Sequence, residues 1–274
     1  MSGVDEVITS AANPLVKRIR ALADRKHRRR EGAFVVEGLQ PVWRAVTGGW
    51  QIDTLVISPE LLRNERARAM VAEQRDRGVR VASLSREVFA RISDRDGPSG
   101  LCAIVRGSVP DLATFHPTSS GPVVALHRVG NPGNLGAIVR TADAAGAAGL
   151  VLVDHSADPL APAAVKASMG SVFAVPTVNA TGEDELFDWA GRRSRQVVAI
   201  TGHTPNSLWT TEIPSDAVLL LGSEGDGLPD HIARRCTTQV SIPMVGTAES
   251  LNLATATSVA LYDLMRRRIE QQDA

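Results

Sequence analysis

Aromatic residues are scarce in this chain, at 4% of 274 residues, with five phenylalanines, four tryptophans and one tyrosine. Hydrophobic residues nevertheless make up 43%, so the core must be filled mainly by valine, leucine, isoleucine and alanine. Such a core is typical of parallel strands that are covered by helices. The length allows one large domain or two modest ones.

Cysteine is nearly absent as well. The two cysteines, Cys102 and Cys236, have no CxxC spacing, which argues against a disulfide framework and against a cysteine-based zinc site. The histidines at positions 127, 155 and 203 have no close partner at metal-ligand spacing. We therefore expect no metal centre.

The chain also lacks long apolar runs and a net charge. No stretch is apolar enough to span a membrane, and the start of the chain has no apolar signal-peptide region, so we expect a soluble, cytoplasmic protein. Thirty Lys and Arg residues balance thirty Asp and Glu residues. This balance argues against a protein that binds nucleic acid through its overall charge.

The basic residues are, however, concentrated near the N-terminus. Eight of them lie between Lys17 and Arg30, where Asp24 is the only acidic residue. The pair Asn13-Pro14 is typical of a helix start, so the sequence predicts one basic helix from there to Arg30. Such a surface could neutralise several RNA phosphates, and a solvated charged helix is the alternative.

The predicted elements divide the chain into two parts. Residues 1–107 are predicted to form a small α/β domain, and residues 108–121 are interpreted as a linker because prolines and small polar residues interrupt any periodicity. In residues 122–274, strands alternate with helices, which predicts a mainly parallel sheet with helices on both faces. Among these elements are strands at 123–126, 150–153, 173–175, 196–201, 217–221 and 239–242, and helices at 134–145, 159–169, 183–193, 228–235 and 250–271.

Open parallel sheets bind ligands beyond the carboxyl ends of their strands, and residues 130–136 (GNPGNLG) follow such an end. Arg140 lies on the helix that this segment opens, close to glycine and alanine, so a large anion such as RNA phosphate can approach it. A solvated arginine is the alternative. The opposite face of the helix is expected to be buried, and it carries Leu135, Ile138, Val139 and Ala142.

Two further segments place unusual sequence at strand ends. Residues 219–228 (LLLGSEGDGL) run from a buried strand into a glycine-rich loop that carries Glu224, and a simple turn with a capping acid is the alternative. Residues 242–254 (IPMVGTAESLNLA) lead into the last helix, for which Ser250 is the predicted N-cap. One stripe of this helix could be core or could bury against a second subunit, and it comprises Leu251, Ala254, Ser258, Tyr262, Met265 and Ile269.

A nicotinamide-binding fold is the weaker interpretation of the first loop. Its glycines have the spacing GxxGxxG rather than GxGxxG, and Asp154 is the only acidic residue near the position that a dinucleotide site would require.

Together the three segments resemble the motifs of the SpoU/TrmH family of RNA ribose methyltransferases, in the SPOUT superfamily. NPGNLGAIVRTADAAGAAGL is similar to the first motif, LLLGSEGDGL to the second and VSIPMVGTAESLNLATA to the third, in the family's order. Residues 8–38 are similar to the substrate-binding domain that precedes the catalytic domain in members acting on ribosomal RNA. Within the family, the chain also resembles the avilamycin-resistance type of rRNA methyltransferase.

The resemblance implies an α/β fold in which a C-terminal parallel-sheet domain contains a deep trefoil knot. A smaller α/β, ribosomal-protein-like RNA-binding domain precedes it. The implied activity is methylation of a ribose 2'-hydroxyl by S-adenosylmethionine, in a homodimer formed through the C-terminal domain. The N-terminal domain favours rRNA, and 23S rRNA in particular, as the substrate. A tRNA methyltransferase and a non-catalytic RNA-binding protein on the same fold are the alternatives.

The resemblance also assigns residues. The implied catalytic residues are Arg140, Asn134, Glu224, Ser250 and Asn252. The implied cofactor site comprises Thr201, Gly202, Leu221, Gly222, Ser223, Glu224, Gly227, Ile242, Met244, Ser250, Leu251, Asn252 and Ala254. The expected RNA contacts are Lys17, Arg18, Arg28, Arg29, Arg30 and Arg140. The segment LHRVGNPGN departs from the family, because many members have an acidic residue before the first motif.

The family mechanism makes the residue that matches Arg140 a general base. A guanidinium loses its proton only above about pH 12, and a nearby phosphate would hold that proton more tightly. We therefore interpret Arg140 as a clamp for the RNA phosphate that also orients the hydroxyl. Alignment of the reacting atoms can supply much of the acceleration.

Overall fold

The structure is a computed structural model in which residues 6–94, 97–202 and 204–272 are described. These residues form two compact units. The first comprises the residues up to Ser108 together with Leu160–Phe173, and the second comprises Val109–Pro159 and the residues from Ala174 onward. Leu160–Phe173 therefore packs in the first unit although the chain on either side belongs to the second. Nothing in the sequence indicated this excursion.

The first unit is built on a mixed four-stranded sheet. Its strands are β1 (Ala33–Glu37), β2 (Ile52–Ile57), β3 (Arg80–Ser83) and β4 (Leu101–Arg106). They lie in the order β1-β4-β2-β3, with β4 antiparallel to both neighbours and β2 parallel to β3. Its N-terminal helices are α1 (Pro14–Ala21), α2 (Arg25–Glu31), α3 (Leu39–Thr47), α4 (Glu65–Asp76) and α5 (Arg86–Ala90).

The prediction of one continuous basic helix is wrong, because the chain breaks between α1 and α2. Asp24 caps α2: its Oδ1 accepts hydrogen bonds from the backbone N–H groups of Lys26 (2.8 Å) and His27 (3.2 Å). An aspartate that satisfies the free N–H groups of a helix start favours a new helix at that point. The basic residues therefore lie on two short helices.

The rest of the chain supplies the second unit and one helix of the first. Its strands are β5 (Val123–His127), β6 (Gly149–Val153), β7 (Thr177–Ala180), β8 (Val197–Ile200), β9 (Val218–Leu221) and β10 (Thr238–Val240). Its helices are α6 (Pro132–Ala144), α7 (Pro162–Ala167), α8 (Glu183–Arg192), α9 (Asp230–Ala233) and α10 (Leu253–Gln272). Of these, α7 belongs to the first unit.

The six strands of the second unit form one parallel sheet in the order β10-β8-β9-β5-β6-β7. The parallel sheet predicted from the alternating pattern is therefore confirmed. The chain runs outward from β5 to β7, crosses to the other half of the sheet and ends at β10. Since β5 and β9 are neighbours at the centre, the loops after them meet at the point where the strand order changes direction, the usual ligand site of such sheets.

One local prediction in this part of the chain is wrong. Residues 173–175 do not form a strand: Ser171–Phe173 is a 3-10 helix, and β7 begins at Thr177. Phe173 packs in the first unit against Phe34 (6.1 Å between ring centroids) and Trp50 (5.3 Å). The apolar residues that suggested a strand are thus satisfied by an aromatic cluster.

The residues interpreted as a linker are partly structured. Leu112–Thr114 forms a 3-10 helix, and Leu112 and Phe115 are buried in the core of the second unit. The ring of Phe115 stacks on Trp189 of α8 at 5.4 Å. This packing anchors the start of the second unit.

The predicted inward face of α6 is confirmed, since Leu135, Ile138, Val139 and Ala142 are all buried. The stripe proposed for α10 is not core: Tyr262 and Ile269 are 47% and 48% exposed. In the part of the chain that the structure describes, none of the helices has both the length and the apolar character needed to cross a bilayer.

Candidate active site

A cavity of about 630 Å³ opens at the carboxyl edge of the parallel sheet. The ends of β8 and β9 and the loops after β9 and β10 line it. Most residues predicted for the cofactor site are among its lining residues: Thr201, Gly202, Leu221, Gly222, Ser223, Glu224, Gly227, Ile242, Met244, Ser250 and Leu251. Asn252 and Ala254 are not among them, although Leu253 and Ala256 are.

Gly222 allows the second loop to fold back on itself. A Cβ atom at this position would lie 1.9 Å from the carbonyl carbon of Gly227 and 2.1 Å from the nitrogen of Leu228. The loop is also closed by a hydrogen bond from the N–H of Ser223 to the carbonyl of Gly227, at 3.1 Å. Only a residue without a side chain permits this backbone contact.

We expect Gly222→Ala to destabilise the second unit, because the added methyl group would overlap backbone atoms that cannot move independently. Overpacking of this kind lowers the free energy of unfolding by about 1–3 kcal/mol. Urea unfolding measures the change. Gly225→Ala in the same loop is the matched control, since a Cβ atom there meets nothing within 4 Å. Equal losses in the two variants would contradict the argument.

Glu224 joins the first two motifs. Its carboxylate accepts hydrogen bonds from the N–H groups of Gly130 (3.2 Å) and Asn131 (3.3 Å) and from Nδ2 of Asn134 (3.0 Å). Partial burial opposes ionisation of this carboxyl, but hydrogen bonds, with the one from Asn134 the strongest, outweigh it and lower the pKa of Glu224. The charged carboxylate therefore holds the first loop against the second.

Asn134 extends this connection to the third motif. Its Oδ1 accepts a hydrogen bond from Nδ2 of Asn252 at 3.2 Å. Asn252 in turn caps α10, since its Oδ1 accepts from the N–H groups of Ala254 (2.9 Å) and Thr255 (3.4 Å). The prediction that Ser250 caps this helix is therefore wrong. Ser250 lines the cavity instead.

Arg140 lies apart from this cluster. It is exposed on α6 and does not line the cavity. Among the described residues it has no hydrogen-bond or ion-pair partner, so its guanidinium is available to an anion. The structure thus links Glu224, Asn134 and Asn252 by hydrogen bonds. Glu224 and Ser250 line the cavity, and Arg140 belongs to neither set.

Two carboxylates of the cavity were missed by the sequence analysis. Asp226 and Glu249 line it together with Glu224, and the described lining residues include no lysine, arginine or histidine. Asp226 lies within the second motif and Glu249 within the third. Their place in these loops was the signal from which the sequence could have identified them. A cavity with this lining favours a ligand that carries positive charge.

Metal-binding chemistry has no support from side-chain clusters. Within residues 6–94, 97–202 and 204–272, no group of three or more His, Cys, Asp or Glu side chains is placed to hold a metal ion. His203 lies outside the described residues.

Two of the basic residues predicted to contact RNA in the first unit are engaged in its packing. Arg28 is 5% exposed, and its Nη1 donates to the carbonyls of Leu22 (3.0 Å) and Ala23 (2.7 Å) at the end of α1. Arg18 pairs with Asp53 at 2.8 Å and lowers the pKa of that carboxyl to about 2. Both guanidinium groups are therefore engaged within the first unit, and their predicted contacts with RNA stay a prediction.

The remaining cations of this region are exposed. Lys17 lies on α1, and Arg29 and Arg30 lie on α2 with Lys26. Positions 26, 29 and 30 have the i, i+3, i+4 spacing that places side chains on one helix face. In the described part of the chain, none of these four has an ion-pair partner. We call Lys26, Arg29 and Arg30 the α2 cationic face.

Comparison with known proteins gives two family matches. The model of the SpoU rRNA methylase family matches residues 121–262, and the model of an MRM3-like substrate-binding domain matches residues 13–103. The chain is also 32% identical over 259 residues to the 23S rRNA (uridine(2479)-2'-O)-methyltransferase of Streptomyces viridochromogenes. This match covers 92% of this chain and 89% of that protein.

Solved structures agree with these matches. An AdoMet-bound rRNA methyltransferase from Sinorhizobium meliloti is 38% identical, with a TM-score of 0.85, and the match covers 96% of this chain and 98% of that one. The SpoU methyltransferase AviRb from S. viridochromogenes, in complex with AdoMet, is 31% identical, with a TM-score of 0.83 and coverage of 94% and 98%.

Proposed function

The chain belongs to the SpoU rRNA methylase family, and from this membership we propose that it methylates a ribose 2'-hydroxyl of 23S rRNA with S-adenosylmethionine. The observation that carries the proposal is the meeting of the three family motifs at Glu224 and Asn134. The Streptomyces relative is named for this reaction on 23S rRNA. The match to a substrate-binding domain over residues 13–103 also favours a large RNA substrate.

The cavity fits S-adenosylmethionine in size and charge. Its volume of about 630 Å³ lies inside the range of about 300–1,000 Å³ that is usual for ligand sites. Gly202, Gly225 and Gly246 line the cavity, and a Cβ atom at each would meet nothing within 4 Å, so the backbone leaves open space for an adenosyl group. Glu224, Asp226 and Glu249 supply negative charge for the sulfonium and ammonium groups.

When bound, the cofactor supplies a methyl group that its sulfonium makes electrophilic. The protein's own task is to hold the ribose hydroxyl in line with that methyl group and to let its proton leave. We assign Asn134, Ser250 and Asn252 the role of neutral hydrogen-bond partners at the reacting centre. Arg140 binds the adjoining phosphate and orients the hydroxyl, and the proton passes to water late in the reaction. Positioning of this kind accounts for a large share of the acceleration.

Two finer features belong to the same proposal. The first is a trefoil knot formed by the C-terminal segment of the parallel-sheet domain, and an experimental backbone trace without a knot would contradict it. The second is a homodimer through the C-terminal domain. The exposed side chains Tyr262 and Ile269 on one stripe of α10 support it, because exposed apolar stripes often mark protein interfaces. Light scattering in solution measures the oligomeric state.

The decisive experiment is methylation of 23S rRNA by the purified protein. The protein and S-adenosylmethionine are incubated together with one RNA in each reaction. The RNAs are 23S rRNA, intact large subunits, 16S rRNA and bulk tRNA. Ribose methylation is then mapped by mass spectrometry. We expect one 2'-O-methylated nucleotide in 23S rRNA and none in the other RNAs. Modification of tRNA alone, or binding of rRNA without any methyl transfer, would overturn the proposed reaction.

We expect the α2 cationic face to contribute to RNA affinity through phosphates. Replacing Lys26, Arg29 and Arg30 by glutamine should reduce the slope of log affinity against log salt by about 2–3, since each phosphate contact contributes about 0.7–0.9. Filter binding at several salt concentrations measures the slope. The control replaces three exposed arginines elsewhere, Arg66, Arg192 and Arg234, by glutamine. If both triple variants give the same slope, the face is only a solvated surface.

A further inference from the structure

Arg128 has an unusual backbone conformation beside the active site. It follows β5 directly, and its φ angle is 55°, in the left-handed region that residues with a Cβ atom rarely adopt. Its neighbour Val129 is fully buried, and the carbonyl of Val129 accepts a hydrogen bond from the N–H of Ala157 at 2.7 Å. The N–H of Gly130, the residue after Val129, donates a hydrogen bond to the carboxylate of Glu224. Arg128 is therefore held firmly at the edge of the sheet where the motifs meet.

A second left-handed residue lies against it. Asp154 follows the neighbouring strand β6 and has a φ angle of 60°. Its Oδ2 lies 2.5 Å from Nε of Arg128, and its Oδ1 lies 2.7 Å from Nδ1 of His155. Asp154 is largely covered, with 16% of its side chain exposed, whereas 62% of the Arg128 side chain is exposed. Both carboxylate oxygens are thus occupied.

The geometry leaves one half of the arginine free. The contact with Asp154 uses Nε, and in the described residues Nη1 and Nη2 of Arg128 have no hydrogen-bond partner. These two nitrogens form the planar fork that binds a phosphate with two parallel hydrogen bonds. An exposed ion pair contributes little to stability. Two adjoining left-handed residues that carry side chains are disfavoured by sterics. Stability alone therefore does not explain why the chain keeps this pair.

We propose that Arg128, oriented by Asp154, binds a backbone phosphate of the RNA close to the nucleotide that is methylated. This inference rests on the proposed function, because it places the phosphate at the rim of the same active site. Arg128 is a binding residue in this scheme, and Asp154 is a positioning residue that fixes the plane of the guanidinium. The position lies in the LHRVGNPGN segment, which leads into the first motif.

The test compares Arg128→Gln, Arg128→Lys and Arg128→Gly with the wild type. We expect Arg128→Gln to raise the KM for 23S rRNA about 10-fold and to reduce the salt slope of RNA binding by about 1, the loss of one phosphate contact. Lysine should restore the salt slope but only part of the affinity, because it lacks the fork. The affinity for S-adenosylmethionine, measured by calorimetry, should change less than 2-fold. Arg192→Gln, a change at an exposed arginine of α8, is the matched control.

Arg128→Gly separates a binding role from a structural one. Glycine accepts the left-handed conformation, so this variant should keep or raise the melting temperature while it weakens RNA binding as much as glutamine does. Asp154→Asn should raise the KM for RNA without a change in the affinity for S-adenosylmethionine. The inference is overturned if Arg128→Gly lowers the melting temperature and leaves RNA binding intact. It is also overturned if all three variants at position 128 methylate 23S rRNA with an unchanged KM, a result that would leave the proposed function standing. A wild-type protein that modifies no rRNA would overturn both.

Discussion

Glu224→Gln should reduce methyl transfer about 100-fold, which corresponds to about 2.7 kcal/mol of transition-state stabilisation. The carboxylate accepts from three donors, the N–H groups of Gly130 and Asn131 and the amide of Asn134. Glutamine has the same shape but only one acceptor oxygen, and its NH₂ group would face a donor. The first loop would therefore lose its attachment to the second, and Asn134 would lose its orientation toward the reacting centre.

The measurements are single-turnover methylation of 23S rRNA and calorimetry with S-adenosylmethionine. Glu212→Gln is the matched control, because Glu212 is an exposed glutamate of the same unit outside the cavity. Near-normal turnover in Glu224→Gln would mean that the loops hold their arrangement without the charge. The hydrogen bonds that join the three motifs would then not contribute to catalysis.

The same carboxylate gives the second unit a defined response to acid. The folded-state pKa of Glu224 is lowered from its ordinary value of 4.5, so its contribution to stability is present above that value. The contribution is lost as the pH falls through the lower, folded-state pKa. Glu224→Gln should flatten this part of the stability profile, which unfolding by urea between pH 3 and 7 would detect.

The strands and the three motif loops could be predicted because their signals are local. Every strand of the parallel sheet except β7 was placed within two residues. A continuous apolar run that ends in glycines predicts a buried strand and its loop whatever the rest of the chain does. The position of the cavity then follows from the general behaviour of parallel sheets.

The errors arose where a distant contact or a competing cap decides the structure. Asp24 and Asn252 cap helices where the sequence had favoured one continuous basic helix and a start at Ser250. Phe173 was assigned to a strand, but its partners Phe34 and Trp50 lie more than a hundred residues away in sequence. Arg28 looked like one more surface cation, and only the path of the chain around α1 reveals that its guanidinium is buried against backbone carbonyls.

Arg140→Ala should lower kcat/KM for RNA about 1,000-fold, the upper part of the range found when one preorganised donor is removed from an active site. Arg140 is exposed and has no partner among the described residues, so its removal should leave the fold intact. The melting temperature and the affinity for S-adenosylmethionine should therefore stay near their wild-type values. Arg192→Ala, at an exposed arginine of the same unit, controls for the loss of one positive charge.

Arg140→Lys decides between a phosphate clamp and a general base. An amine gives up its proton near pH 10.4, whereas a guanidinium keeps its proton to above about pH 12. If the residue were the base, lysine would be the better one, and activity should rise steeply with pH. As a clamp, lysine keeps the charge but loses the two parallel hydrogen bonds, so activity should fall at least 10-fold at every pH with no change in the shape of the profile. A lysine variant with near-normal turnover and an unchanged pH profile would contradict both roles, because a clamp requires the fork of the guanidinium and a lysine base would make activity rise with pH.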